Sequence, residues 1–197
     1  MKYPALLVLT LLTLVVAAHS QTSWATDGDM LSVNGRITVK AGKTYGAVTT
    51  VNGNVHVEHG AVADHVKTVN GEITVQSNAK LGEVNTVNGS LKVDDDVTIE
   101  RTASTVNGGA EFGHRTHVGG DVSTVSGDIE LRGTDVAGKL YTRNGDIDLS
   151  DGARVHGGIV VKKKSDDVGT VVAAGSPGLK GDAHGSTVSY NGQSCKA

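Results

Sequence analysis

Aromatic side chains are scarce: one Phe, one Trp and four Tyr make up 3% of 197 residues. That is too few for a conventional globular core, in which large rings dominate the buried area. Proline is nearly missing too, at 2 residues against 27 Gly, and glycine without proline excludes the flexible Pro-rich tracts of disordered chains. The single Cys195 has no intrachain partner, so no disulfide framework holds the fold, and only a second chain offers this thiol a partner. Neither sign of charge prevails: 18 basic and 21 acidic side chains give a net charge of −3, which excludes the basic footprint of a nucleic-acid binder.

The N-terminal stretch MKYPALLVLTLLTLVVAAHSQTSWA has one Lys, an uncharged apolar run over residues 5–18, and then small residues. This pattern predicts a secretory signal peptide over 1–20, with cleavage after Ser20, or alternatively 1–25 with cleavage after Ala25. The run falls short of the ~20 residues a membrane span needs, so no integral span is expected after cleavage, and no Cys follows it to accept a lipid. Loss of Lys2 leaves 17 basic against 21 acidic residues, a net charge of −4 for the mature chain.

The remainder is dominated by a repeated octet: SVNGRITV, TVNGNVHV, TVNGEITV, TVNGSLKV, TVNGGAEF, TVSGDIEL and TRNGDIDL. Its second polar residue falls at Asn34, Asn52, Asn70, Asn88, Asn107, Ser126 and Asn144, in steps of 18, 18, 18, 19, 19 and 18. Helical repeats need a longer period because each holds two helices; eighteen residues leave room only for short strands and corners. The prediction is an all-β, single-stranded parallel β-helix, a β-solenoid, of about seven three-sided coils. An apolar residue recurs about every sixth position, at Val69, Val75, Leu81, Val87, Val93 and Ile99, so these residues are expected to face inward, two per side. Stacking at about 4.8 Å per coil makes a rod roughly 35 Å long.

Aligned in this register, the octets contain an unbroken glycine column: Gly35, Gly53, Gly71, Gly89, Gly108, Gly127 and Gly145. Either a positive φ or close approach by the next coil would require glycine there. The Asn column beside it is expected to bend into a left-handed conformation and to hydrogen-bond from coil to coil as a stacked amide ladder. Ser32, Thr50, Thr68, Thr86, Thr105, Thr124 and Thr142 are expected to form an outward hydroxyl ladder held by cross-strand pairing. Flat Thr arrays can bind ice, but the neighbouring rank here is mixed, with Lys67, Asn85 and Tyr141.

The octets TVNGxIxV and TVSGDIEL, with spacers such as GAVADHV and NAKLGEV, resemble the exported bacterial β-repeat adhesin family. Over about residues 30–164 they are also similar to the bactofilins, which are polymer-forming cytoskeletal proteins. The resemblance implies a right-handed β-helix of triangular coils and, from the bactofilins, end-to-end association. Bactofilins are cytoplasmic and lack a signal peptide, so the leader places this chain with the adhesin-like branch, exported to the periplasm or cell surface. The implied organisation is a lead-in at 21–30, solenoid repeats at 31–164, and a C-terminal cap and tail at 165–197. In that cap Val168, Val171, Val172 and Val188 would cover the last coil.

Chemistry is sought in outward residues that converge. Asp128 and Asp146, with Glu111, Glu130 and Asp148, are expected on one face about 7 Å apart along the strand and about 4.8 Å between coils. Such stacked carboxylates suit a divalent cation, with Ca²⁺ preferred by oxygen donors; a solvated, solubilising acidic face is the simpler explanation. Close carboxylate pairs also serve glycoside hydrolysis, but no aromatic sugar platform accompanies these. His56, His59, His65, His114 and His117 match no closed metal site. They would be the candidates in a hexapeptide acyltransferase, but the protruding acyl-donor loop of those enzymes is missing. Asp94, Asp95 and Asp96 read as a charged corner, and Lys162, Lys163 and Lys164 as charges that discourage edge pairing. The expected function is therefore non-enzymatic and structural, scaffolding or adhesive, with itself or envelope and surface glycans as partners. A glycan- or cation-binding acidic face is the alternative, and a polysaccharide-acting enzyme the remoter one.

Overall fold

A computed structural model describes residues 27–161, together with the backbone of strands at 170–173, 187–190 and 193–195. The signal peptide, the lysine run 162–164 and Val168 lie outside the described residues. Among these residues there is no helix. Successive strands pair in parallel about eighteen residues apart, as in Val55↔Ile73, Ile73↔Leu91 and Leu91↔Ala110, and so build a β-solenoid of about seven coils.

Each coil has three sides. The first carries three- or four-residue strands such as Val55–Val57, Ile73–Val75, Leu91–Val93, Ala110–Phe112 and Ile129–Arg132. The second and third sides are one bent nine-residue strand in the early coils, Thr44–Asn52, Val62–Asn70 and Lys80–Asn88. From residue 98 onward they separate into Thr98–Ile99 and Ala103–Asn107, then His117–Val118 and Val122–Ser123. The separation has a cause in the sequence. Buried residues step from Leu81 to Val84 but from Ile99 to Ala103, so one residue is added at this corner, and the period lengthens there from 18 to 19.

Each side turns two residues inward, at i and i+2, as strand alternation requires. In one coil these are Ile73 and Val75, Ala79 and Leu81, then Val84 and Thr86, all buried. The core is aliphatic apart from Phe112 and a set of threonines: Thr50, Thr68, Thr86, Thr105, Thr116, Thr124, Thr134 and Thr142.

Two expectations are corrected. The threonine column faces the core, not solvent, whereas Val69 and Val87 point outward and are only partly covered, and Val33, Val106 and Val125 are exposed. The inward series therefore runs through Thr68 and steps five residues on to Ile73, because the corner takes up Val69, Asn70, Gly71 and Glu72. The hydroxyls tolerate burial because each has a carbonyl to bond. Thr68 Oγ1 donates to Gly53 O at 3.0 Å, Thr86 Oγ1 to Gly71 O at 3.2 Å and Thr105 Oγ1 to Gly89 O at 3.0 Å, always in the preceding coil. A buried hydroxyl with a partner costs little; one without a partner costs about 1–3 kcal/mol.

The second correction concerns backbone conformation. No residue of the Asn column has a positive φ. Left-handed residues stack instead at the corner between the first and second sides, with Gly60 at φ 66°, Asn78 at 63°, Asp96 at 60° and Arg115 at 55°.

Beyond the regular coils the first side continues. Residues 170–173 pair in parallel with the strand that begins at Ile147, 187–190 pair in parallel with 170–173, and 193–195 close the sheet as an antiparallel strand.

Candidate functional site

The Asn-Gly corner is the most regular feature of the molecule. From Gly53 onward each glycine lies against the glycine carbonyl of the coil before it: a Cβ at Gly53 would sit 1.9 Å from Gly35 O, at Gly71 2.0 Å from Gly53 O, and at Gly145 1.9 Å from Gly127 O. Close approach therefore accounts for the column from Gly53 onward, while Gly35, at φ 138°, is held to glycine by its backbone conformation. Beside it the amide ladder forms as expected, with Asn52 Nδ2 donating to Asn34 Oδ1 (3.0 Å), Asn70 to Asn52 (2.7 Å), Asn88 to Asn70 (2.8 Å) and Asn107 to Asn88 (2.8 Å). The ladder stops at Ser126, where the side chain has no amide. Gly108 and Asn107, Gly127 and Ser126, and Gly145 and Asn144 continue the corner to the last regular coil, bridged through Asn107↔Ser126 and Ser126↔Asn144.

The predicted acidic column is real. Glu111 pairs in register with Glu130, and Glu130 with Asp148. Two of the predicted carboxylates, however, are engaged by neighbours. The Asp128 carboxylate accepts the backbone N–H of Asp146 at 2.7 Å. Glu130 is bound by the Arg132 guanidinium, Nε at 2.8 Å, which raises the guanidinium pKa above its ordinary value. Glu111 stands in register with Lys92, which itself pairs with Glu72 at 3.3 Å. Among the described residues no three His, Cys, Asp or Glu side chains converge as metal ligands. Beside this column, at the corner after the first side, lies an open depression of about 330 Å³ lined by Lys92, Asp94, Asp95, Glu111, Glu130 and Arg132 among others.

Asp128 exemplifies a device that sequence reasoning missed. Aspartates one coil back accept corner N–H groups throughout: Asp29 from Ala47 (2.8 Å), Asp95 from His114 (2.8 Å) and Asp121 from Lys139 (2.8 Å). The residue before each donor is a glycine, and a Cβ on Gly46, Gly113 or Gly138 would lie 2.3 to 2.4 Å from that same carboxylate oxygen. An Asp followed 17 or 18 residues later by Gly is the signal that marks this contact in the sequence.

The histidines do not assemble. His56 stands on the first side in register with Thr38 and Thr74, while His59 is exposed at a corner and its backbone N–H reaches Gln76 Oε1. His65 joins a charge cluster with Asp64 at 3.2 Å and Glu83 at 3.6 Å. Arg101 reaches over Gly82 into the same cluster, contacting Asp64 Oδ1 at 2.8 Å across two coils. His114 faces Asp151 at 3.7 Å. His117 and His156 flank Asp135 at 3.7 and 2.7 Å, and His156 was not among the candidates. Asp96, in the acidic corner, forms a bidentate pair with Arg115 of the next coil at 2.7 and 2.6 Å. Almost all of these pairs join one coil to another.

Searches against protein-family models, curated proteins and solved structures each return no match for this chain.

Proposed function

We propose that this chain is an exported, non-catalytic β-solenoid whose role in the bacterial envelope is structural, as a stiff scaffold or adhesin that engages other copies or envelope and surface glycans. The observation that carries this reading is the unbroken parallel pairing of successive coils, from Met30–Asn34 to Ile159–Val161 in one sheet and from Ile37–Val39 to the strand at 170–173 in the other, stitched on its outside by inter-coil amide and ion pairs. Outward groups committed to such pairs stiffen a rod, and the rod's ends and variable outward positions are left for contact. Electron microscopy and light scattering of the mature protein, with binding to envelope preparations, test it. Monomers at every concentration together with no retention on envelopes would overturn it.

A second reading is favoured by the charged depression beside Glu111 and Glu130: a glycan or divalent cation held on the acidic face. Replacement of Asp128, Glu130, Asp146 and Asp148 by Asn or Gln should abolish calorimetric Ca²⁺ or glycan binding by the intact protein. Binding that survives all four substitutions removes this reading.

A further inference from the structure

The three sides of the coil differ in what they turn to solvent. Outward positions of the first and second sides hold charges that pair coil to coil, such as Glu72 with Lys92 and Asp135 with His156. The third side is nearly uncharged at its centre, where the outward column runs through Leu31, Thr49, Lys67, Asn85, Ser104 and Ser123; Lys67 is turned aside to Glu83 at 4.0 Å.

Beside it, next to the Asn-Gly corner, stand Val33, Val51, Val69, Val87, Val106 and Val125, with Arg143 in the seventh coil. Their neighbours hold them in register, as Ser32↔Thr50 and Asn34↔Asn52 do at one end and Thr86↔Thr105 and Asn88↔Asn107 further on. Leu31 is 72% exposed and Val33 60%, and the later valines stay at least partly open. A strand accepts Thr as readily as Val, so backbone conformation alone does not require six outward valines. They form an apolar strip about 25 Å long at about 4.8 Å per coil, and a strip of this kind on a soluble protein marks a contact surface.

The rims of the third side indicate the partner. The outward column on the rim toward the second side begins at Asp29, just before Met30, and ends in the seventh coil at Lys139, just before Leu140. On the opposite rim, just past the Asn-Gly corner, the column begins at Arg36 and reaches Asp146 in the seventh coil. Charge therefore runs from negative to positive along one rim and from positive to negative along the other, a pattern complementary to itself when reversed end for end.

We propose that this chain pairs side by side with a second copy of itself, antiparallel, with third side packed on third side through the valine strip. The pairing rests on the scaffold reading above and names one of its contacts. A two-fold axis crossing the rods at the fourth coil makes the interface isologous and sets Val87 on Val87 of the second copy, Val69 on Val106, Val51 on Val125 and Leu31 on Tyr141. At the rims Asp29 meets Lys139 and Arg36 meets Asp146. Glu83 meets its own copy on the axis, where Lys67 and Arg101 of its own chain, each at 4.0 Å, supply the opposing charge. A parallel pair would instead lay the valines on the rim that holds Asp29, Glu83 and Asp121, desolvating carboxylates against apolar side chains. The face offers roughly 500 Å² per copy at strand and coil spacings, which places the pair among small interfaces that form as concentration rises.

The test is sedimentation equilibrium of the mature protein carrying Cys195→Ser, from micromolar to millimolar, with circular dichroism to verify the fold of each variant. A monomer–dimer equilibrium is expected. Val69→Lys combined with Val106→Lys sets like charges against each other and should weaken association at least about tenfold. Val69→Lys combined with Val106→Glu sets opposite charges together across the axis and should recover it. Val87→Cys should be joined to its own copy by a short bis-maleimide, whereas Val51→Cys should be joined only when mixed with Val125→Cys. The pairing is overturned if the double-lysine variant associates like its parent, if the charge swap fails to recover association, or if Val51→Cys is joined to itself as readily as Val87→Cys. Monomers at every concentration that are still retained on envelope preparations overturn the pairing and leave the scaffold reading standing.

Discussion

Thr68 and Val69 are similar in volume and adjacent in sequence, yet the fold gives them opposite surroundings. Thr68 is buried with its hydroxyl on Gly53 O at 3.0 Å, while Val69 lies on the outer surface. Thr68→Val should therefore cost about 1–3 kcal/mol, the penalty of leaving a buried carbonyl without its donor. Val69→Thr should change stability by less than about 0.5 kcal/mol, as surface substitutions do. Denaturant unfolding of the two variants checks this, and equal losses would contradict the inward threonine. Gly71→Ala is more severe: its Cβ would lie 2.0 Å from Gly53 O, so two coils must separate, at a cost of about 3 kcal/mol or more. That loss should appear as a lowered unfolding midpoint. The glycine column was legible from the repeat alone. The inward threonine was not, because a hydroxyl reads as outward until the carbonyl it bonds is known to lie one coil behind it.

At the scale of the element, the corner between the first and second sides stores a conformational cost that an ion pair offsets. Arg115 has φ 55° and Asp96 φ 60°, a conformation uncommon for residues other than Gly, Asn and Asp. Their bidentate contact ties successive coils. The hydrogen bond from the Arg115 guanidinium, followed by its charge, lowers the Asp96 pKa from the ordinary 3.8 and raises that of Arg115. A lowered folded-state pKa means that the contribution is present above the unfolded value and is lost as pH falls through the folded one. Wild type should thus have a higher melting temperature than Arg115→Gln at neutral pH, and the difference should shrink as pH drops below the carboxylate range. A difference independent of pH would show that the guanidinium acts through packing. Such corners were only partly visible in the sequence. DDD and GHRTH read as charged surface, and the pairing of one with the other required the register of neighbouring coils.

For the whole molecule, contacts run almost entirely between adjacent coils, so stability should behave as a sum of coil and interface contributions. Removing residues 71–88, one full period, joins Asn70 to Gly89 and restores an intact corner. The shortened chain should keep its β-type circular dichroism, unfold cooperatively at a lower temperature, and lose about 4.8 Å of length in small-angle scattering. Removing half a period instead would place outward residues in the core and should abolish the fold. Loss of structure in both deletions would mean that the ends, not the stack, dominate stability.

The sequence by itself determined the period, the three-sided coil, the number of coils, the stacked amides and the glycine column, because each is a repeated local requirement that leaves the same residue at the same place. It also placed Glu111, Glu130 and Asp148 in one column. Only the tertiary structure decided which face of a strand looks inward at the Asn-Gly corner, and that Asp128 and Glu130 are engaged by neighbours. Both depend on groups eighteen residues away, or on parity across a corner whose length the sequence does not state.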